Sequence, residues 1–240
     1  MIKKIKRVLR SFGVEVTRFQ PETSNSALLR KCLDFYGIDL VIDVGANTGQ
    51  YGVVLREAGY KNQIISFEPM REAFSQLSLI SGRYQKWSSY QYGVGRANEE
   101  QIINVSKNSA SSSILPVTEL STNAEPLTIT TRQEKINIVA LDSFLVDKLF
   151  GYKSIYLKVD VQGYELHVLE GVKKLLPTFK VVQLEMSFVP LYEGGPLFNE
   201  IISWMSEAGF EIYSIIPDFR DMHSGRMLQA DGIFVNKLSV

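Results

Sequence analysis

One cysteine, Cys32, is all that the 240 residues contain, so no disulfide can form within the chain and no thiolate-rich metal site can be built. Histidine is nearly as scarce, and His167 and His223 stand far apart with no spacing that would hold a metal. The formal net charge is zero, which removes any bulk electrostatic reason to bind nucleic acid. No window of about 18 apolar residues occurs, so no transmembrane helix is expected. The basic start is followed neither by an apolar run of about 7–15 residues nor by a small-residue cleavage site, so no secretory signal is expected. These absences point to the cytoplasm. There is no internal repeat. What is present is an ordinary globular composition, 45% hydrophobic and 22% charged, enough for one sizeable core.

The single local charge bias is at the start. Residues 1–18 hold Lys3, Lys4, Lys6, Arg7, Arg10 and Arg18 against Glu15 alone. Ile2, Ile5, Leu9 and Phe12 recur at spacings of three and four, which puts them on one face of a helix. Such a helix can rest on an anionic membrane surface, here the inner face of a membrane, or can pack on its own domain or a partner subunit. Residues 1–30 therefore read as a basic amphipathic helix with a linker, and residues 31–240 as the main domain.

Within that domain short apolar runs alternate with amphipathic stretches, the pattern of a doubly wound α/β fold with a mostly parallel sheet. Strands are predicted at Leu40–Val44, Gln63–Phe67, Ser89–Val94, Ile155–Asp160 and Lys180–Met186. Helices are predicted at Gln50–Ala58, Arg71–Ile80, Leu141–Leu149, Tyr164–Leu176 and Leu197–Ala208, with Gly59, Pro177 and Gly209 as stops. Phe210–Ile216 and Gln229–Val235 are close enough to pair antiparallel. Between about 95 and 140 the pattern breaks into polar clusters, notably Ser106–Ser113, and short alternating stretches. A segment of that length reads as an insertion of short strands and loop over the sheet edge.

Asp43 ends the first strand, and Gly45 and Gly49 follow it four apart in Asp-Val-Gly-Ala-Asn-Thr-Gly. Ligands of open α/β sheets bind at the carboxyl ends of the strands. Glycines there let the backbone approach a ligand, and the next helix offers its unpaired N–H groups. Glu68 ends the second strand, nineteen residues beyond Gly49, where an acid can accept the hydroxyl hydrogens of a ribose. Pro69 and Met70 follow it at the mouth of the site. A dinucleotide fingerprint wants G-x-G-x-x-G, whereas Asn47 occupies the second glycine's place. Asp43 would also repel a pyrophosphate but suits an amino group or a sulfonium cation. Asp43, Gly45, Asn47, Gly49, Glu68, Pro69 and Met70 thus read as a site for S-adenosylmethionine. A nucleotide-dependent oxidoreductase and a non-catalytic binding module are the alternatives.

Further segments carry a resemblance. The run Val41–Gly49, then Phe67-Glu68-Pro69, Leu141-Asp142-Ser143-Phe144, and above all Leu157-Lys158-Val159-Asp160-Val161-Gln162-Gly163-Tyr164-Glu165 through Leu169-Glu170-Gly171 resemble the FkbM-type methyltransferases. These belong to the class I, S-adenosylmethionine-dependent superfamily. The resemblance spans roughly residues 40–185, with Asp231-Gly232 also in keeping. It implies a seven-stranded sheet with an antiparallel last strand. It also implies O-methylation of a hydroxyl on a sugar, a polyketide or another secondary metabolite. Many members have Glu where this chain has Gln162, so no role needing a carboxylate belongs there.

An alcohol acceptor must lose its proton, which calls for a base or a metal. Asp160, at the end of the fourth strand, is the first candidate, the alternative being a cap for the turn at Gly163. Glu185, in the apolar run Val181–Met186, needs a partner or a purpose. Glu165 opens a helix, where the dipole alone explains an acid. Asp160 and Glu185 can share a divalent ion, although no spacing argues for a dedicated metal site. Lys158 can pair with a carboxylate. Tyr164, Phe188 and Tyr192 can form a platform for a sugar ring or simply pack. His167 and His223 read as packing or surface residues, and Asp142 and Phe144 as helix-entry and packing residues. Oligomeric state has no signature in the sequence.

Overall fold

The structure, a computed structural model, describes residues 2–14 and 24–239. The first elements are α1 (Ile2–Ser11), α2 (Asn25–Phe35), β1 (Leu40–Val44), α3 (Gln50–Glu57), β2 (Gln63–Phe67) and α4 (Arg71–Ser81). Next come β3 (Trp87–Tyr90), β4 (Gly93–Val94), β5 (Glu99–Ser106), α5 (Glu119–Ala124), β6 (Thr130–Val139) and α6 (Leu141–Phe144). The last are β7 (Ile155–Val159), α7 (Glu165–Gly171), β8 (Phe179–Ser187), α8 (Phe198–Glu207), β9 (Phe210–Pro217) and β10 (Gln229–Asn236).

β1 and β7 are buried at every position, as a parallel strand covered on both faces must be. Their residues alternate between two core layers because successive side chains leave a strand on opposite sides. Leu40, Ile42, Val44, Leu157 and Val159 join one layer with α7 and α8. Val41 and Tyr156 join the other, against Leu29 and Leu33 of α2, Leu55 of α3 and Leu77 of α4. The sheet order is β3-β2-β1-β7-β8-β10-β9. β10 runs antiparallel to both β8 and β9, while the other pairs are parallel. The seven-stranded α/β sheet with a reversed last strand is therefore as expected. Strand order reverses between β1 and β7, which makes the carboxyl ends of these two strands the crevice where a ligand belongs.

The region after β3 builds a sheet of its own, β4-β6-β5. β4 lies parallel to β6 and β5 antiparallel to it. The predicted strand Ser89–Val94 is thus two strands in two sheets, separated at Gln91-Tyr92. Two helices are shorter than predicted. α6 stops at Phe144, and α7 stops at Gly171, whose Cα faces the carbonyl of Gly95 so closely that a Cβ would sit 1.9 Å from that oxygen. Beyond α7 the N–H groups of Lys174 and Leu175 donate to the Asp142 carboxylate at 3.0–3.1 Å, while Leu175 and Leu176 also donate to the Val172 carbonyl in separate turns. The linker assigned to residues up to 30 already contains the start of α2, which buries Leu29, Cys32 and Leu33. Burial pushes the Cys32 thiol up to about 12. At the N-terminus the expected helix is present as Ile2–Ser11, with Ile5, Val8 and Phe12 exposed and Leu9 half-buried. Residues 15–23 of the expected helix and linker lie outside the described residues. No described helix is long and apolar enough to cross a membrane.

Candidate active site

The loop after β1 is shaped by what lies under it. Gly45 has φ +80°, and a Cβ there would meet the carbonyl oxygen of Asp160 at 1.8 Å. The loop after β1 therefore rests directly on the end of β7. Asn47 also adopts a left-handed backbone, φ 45°, stabilised by its own Oδ1, which accepts from the Thr48 N–H at 2.9 Å. The Asn47 N–H donates to Glu68 Oε2 at 2.9 Å and the Met70 N–H to Glu68 Oε1 at 2.8 Å. One carboxylate so ties the ends of β1 and β2 together. Burial pushes Glu68 up to about 7, against the pull of those two N–H groups.

Around this loop lies a cavity of about 60 Å³. Gly45, Asn47, Glu68, Pro69 and Met70 form one side, and Val94, Ile103 and Ile136 of the small sheet form an apolar side. Ser109, Ala110 and Ser112 close it from above, and Asp160, Val161 and Gln162 form its floor. Of the seven residues assigned to the cofactor, five are on the wall and two are not. Asp43 is fully buried beneath the loop, where Ser66 Oγ donates to its Oδ2 at 3.2 Å and Lys158 Nζ stands 3.9 Å from its Oδ1. Gly49 shapes the entry to α3 with φ +94° and touches Leu77.

The second half of the site hangs on Gln162, another residue in the left-handed region, φ 57°. Its Nε2 donates one hydrogen to Asp160 Oδ1 and one to Glu185 Oε2, both at 2.8 Å. Its Oε1 accepts from the Tyr192 hydroxyl at 2.6 Å, and its backbone carbonyl from Ser113 Oγ at 2.6 Å. Asp160 Oδ2 faces Lys158 Nζ at 2.9 Å. Burial works to lower the Lys158 pKa, but Asp160 and then Asp43 overcome it and the net shift is upward. The Lys158 side chain thus stands between Asp160 and Asp43 as their shared cation. A larger cavity of about 600 Å³ opens on this network, with Asp160, Gln162, Glu185, Tyr192, Asp218 and Phe219 in its wall. Asp160, Gln162 and Ala110 belong to the walls of both cavities.

The sequence comparison decides what the pair of cavities belongs to. The methyltransferase FkbM domain model matches residues 43–212. The chain belongs to the FkbM methyltransferase family. Its methyl donor is S-adenosylmethionine. No curated protein matches the sequence. Among solved structures, a magnesium protoporphyrin IX methyltransferase from Synechocystis PCC 6803 shares 10% identity over 97% of this chain and 91% of its own, with a TM-score of 0.48. Fibrillarin from Aeropyrum pernix shares 10% identity over 88% and 73%, also at 0.48. An rRNA methylase from Streptococcus thermophilus shares 9% over 92% and 99%, at 0.47. At these levels the likeness bears on neither the acceptor nor any residue's role.

The smaller cavity suits the methyltransferase's donor. A carboxylate offers about four lone-pair positions, of which Glu68 gives two to backbone N–H groups, leaving two for the hydroxyls of a ribose. Val94, Ile103 and Ile136 provide the apolar surface that a purine needs.

The other sequence candidates separate clearly. Glu165 is buried, and its Oε1 accepts from the N–H groups of Gly163 at 3.0 Å and Val161 at 3.4 Å. It lies on neither cavity wall, so it holds the turn after β7 rather than reaching an acceptor. Burial pushes it up to about 7. His167 stacks on Tyr164 at 3.9 Å with its Nδ1 buried and unbonded, and burial lowers its pKa. His223 is exposed in the turn before β10. Tyr192 lines the larger cavity and Tyr164 the smaller one, whereas Phe188 packs on Phe198 at 5.0 Å. Among the described residues no group of three His, Cys, Asp or Glu side chains is set to hold a metal.

Sequence reasoning missed Asp218, and it noted Asp231 without a role. Asp231 stands directly opposite Glu185 in the β8–β10 register and accepts from Gln183 Nε2 at 2.9 Å. Burial, then Asp160, pushes it up to about 6. Burial raises Asp218 as well, again with Asp160 next. Glu185 is lifted well above the usual carboxylate range by burial, then by Asp160, Glu165, Asp231 and Asp218. A strand-pairing argument would have found Asp231. Asp218 follows the end of β9 in an irregular stretch and left no periodic signal.

Proposed function

We propose that this methyltransferase transfers the methyl group of S-adenosylmethionine to a hydroxyl oxygen of a sugar, glycan or secondary metabolite, with Asp160 as general base. The observation that carries the reading is the position of Asp160 and Gln162 in the walls of both cavities, where donor and acceptor must meet. S-Adenosylmethionine supplies a methyl group on a sulfonium, a leaving group that departs as a neutral thioether. Alignment of the acceptor oxygen can contribute about 7–11 kcal/mol, and the walls around Asp160 provide it. The acceptor proton passes to Asp160, whose charge Lys158 stabilises. Glu185, lifted above the usual carboxylate range by burial and then by Asp160, lines the acceptor cavity and can hydrogen-bond an acceptor hydroxyl. Gln162 fixes both carboxyls in place.

Asp160→Asn is the test. It is expected to lower kcat by about 10²–10⁴-fold, the usual range for losing a general base. Calorimetric affinity for S-adenosylhomocysteine should change only a few-fold. If turnover survives, Asp160 is structural and the base lies elsewhere. The same reading places α1, with its basic residues and exposed Ile5, Val8 and Phe12, on an anionic membrane surface near a membrane-associated acceptor.

A further inference from the structure

We propose that the acceptor cavity admits an uncharged saccharide unit and rejects phosphorylated or nucleotide-linked sugars, so that a glycosyl transfer releasing phosphate must precede methylation. This rests on the saccharide reading of the acceptor given above. The wall of the cavity carries four carboxyl groups, Glu125, Asp160, Glu185 and Asp218, against one cation, Arg220. Arg220 Nη1 donates to the Gly225 carbonyl at 3.2 Å and forms no ion pair with any of them. Lys158 stands behind Asp160 and is matched to it and to Asp43. The carboxyl groups of Asp218 and Glu185 have no ion-pair partner among the described residues.

A second observation points at the kind of ligand. Glu185 is only 7% exposed. One of its oxygens takes the Gln162 amide, and the other has no hydrogen-bond partner among the described residues while its side chain lines the cavity. The unpartnered oxygen of a carboxyl group aimed into a cavity can hydrogen-bond a ligand hydroxyl. A phosphate there would bring like charges together in a half-buried space, where repulsion is far stronger than in water. Burial raises both Glu185 and Asp218, and Asp160 raises each further. The remaining wall suits a sugar ring: Phe219 and Leu191 offer apolar faces, and Ser111, Thr128 and Gln229 offer neutral hydrogen-bonding groups.

The experiment presents a set of hexoses to the full chain with labelled S-adenosylmethionine, each as its methyl glycoside, its 1-phosphate and its nucleoside diphosphate ester. The glycoside of any accepted hexose should exceed its phosphorylated forms by at least about tenfold in kcat/KM. The double variant Asp218→Asn with Glu125→Gln should narrow that gap by improving the phosphorylated forms. A hexose used better as phosphate or nucleotide ester, or a gap unmoved in the variant, overturns the proposal. If no hexose is methylated in any form, the saccharide reading itself fails. Charge exclusion is then read separately by titrating inorganic pyrophosphate against labelled protein and following the amide resonances of Phe219 and Arg220. Saturable binding to the wild-type chain overturns the proposal, and binding confined to the double variant supports it.

Discussion

Burial pushes the Glu68 carboxyl up to about 7, yet accepting ribose hydroxyls needs it ionised. An acid whose folded value is raised binds its proton more tightly in the folded state. Its contribution to stability is therefore fully present below its ordinary value and lost as pH rises through about 7. Donor binding runs the opposite way, because only the ionised form has all its acceptor positions. If binding needs the ionised form, affinity should fall about tenfold between pH 8 and pH 6. Calorimetry with S-adenosylhomocysteine checks this, and Glu68→Gln should flatten the dependence while weakening binding at pH 8. An equal slope in the variant would assign the titration to another group, such as Glu165 or Asp231. At this scale the sequence shows which acids stand at strand ends, Glu68 and Asp160 directly after β2 and β7 and Glu185 within β8. It was misleading for Asp43 and Glu165, whose acids serve burial and a turn. The departure from Glu at Gln162 was noted, but its bridging of two carboxyls depends on β8 lying beside β7 and could not be read.

Elements were legible in proportion to how completely a run is buried. β1, β2 and β7 are mostly apolar, with Asp43, Ser66 and Lys158 as buried exceptions, because both faces are covered, and their predicted ranges agree closely with those found. The insertion was not, since its strands alternate weakly and Gly93–Val94 leaves the main sheet to pair with Ile138 and Val139. α1 is a different case, legible as an amphipathic helix but not in its contacts. Its exposed Ile5, Val8 and Phe12 lie among Lys and Arg side chains, the combination that binds anionic lipid surfaces through both apolar insertion and charge. The full chain should co-sediment with vesicles containing phosphatidylserine at low salt, and much less with phosphatidylcholine vesicles. Ile5→Glu with Val8→Glu should abolish the difference, and high salt should reduce it. Equal sedimentation by the variant would place α1 in some other contact.

On the scale of the whole molecule, the reversal of strand order between β1 and β7 sets the donor loop and the acceptor network side by side, and the small sheet bends residues 107–114 over both. Three contacts tie that strap down. Asn47 Nδ2 donates to Ser109 Oγ at 3.2 Å, Ser113 Oγ donates to the Gln162 carbonyl at 2.6 Å, and the Tyr192 hydroxyl lies 3.1 Å from the Ser111 carbonyl. The cavity they border holds about 60 Å³, and lifting of the strap is the expected route by which the proposed donor enters and leaves. The Asn47–Ser109 and Ser113–Gln162 contacts are neutral hydrogen bonds of about 0.5–1.5 kcal/mol net each, the Tyr192 hydroxyl gives its hydrogen to Gln162 Oε1, and backbone pairing of Ser113 with Asn104 anchors the strap's far end. Ser113→Ala removes one of them at the point where strap and acceptor network join. It should speed both association and dissociation of S-adenosylhomocysteine several-fold in stopped-flow measurements, with Kd changing far less than either rate. Hydrogen exchange at residues 108–114 should slow when S-adenosylhomocysteine binds, and by less in the variant. Unchanged rates together with unchanged exchange would show that the donor reaches Glu68 by a route that leaves the strap in place.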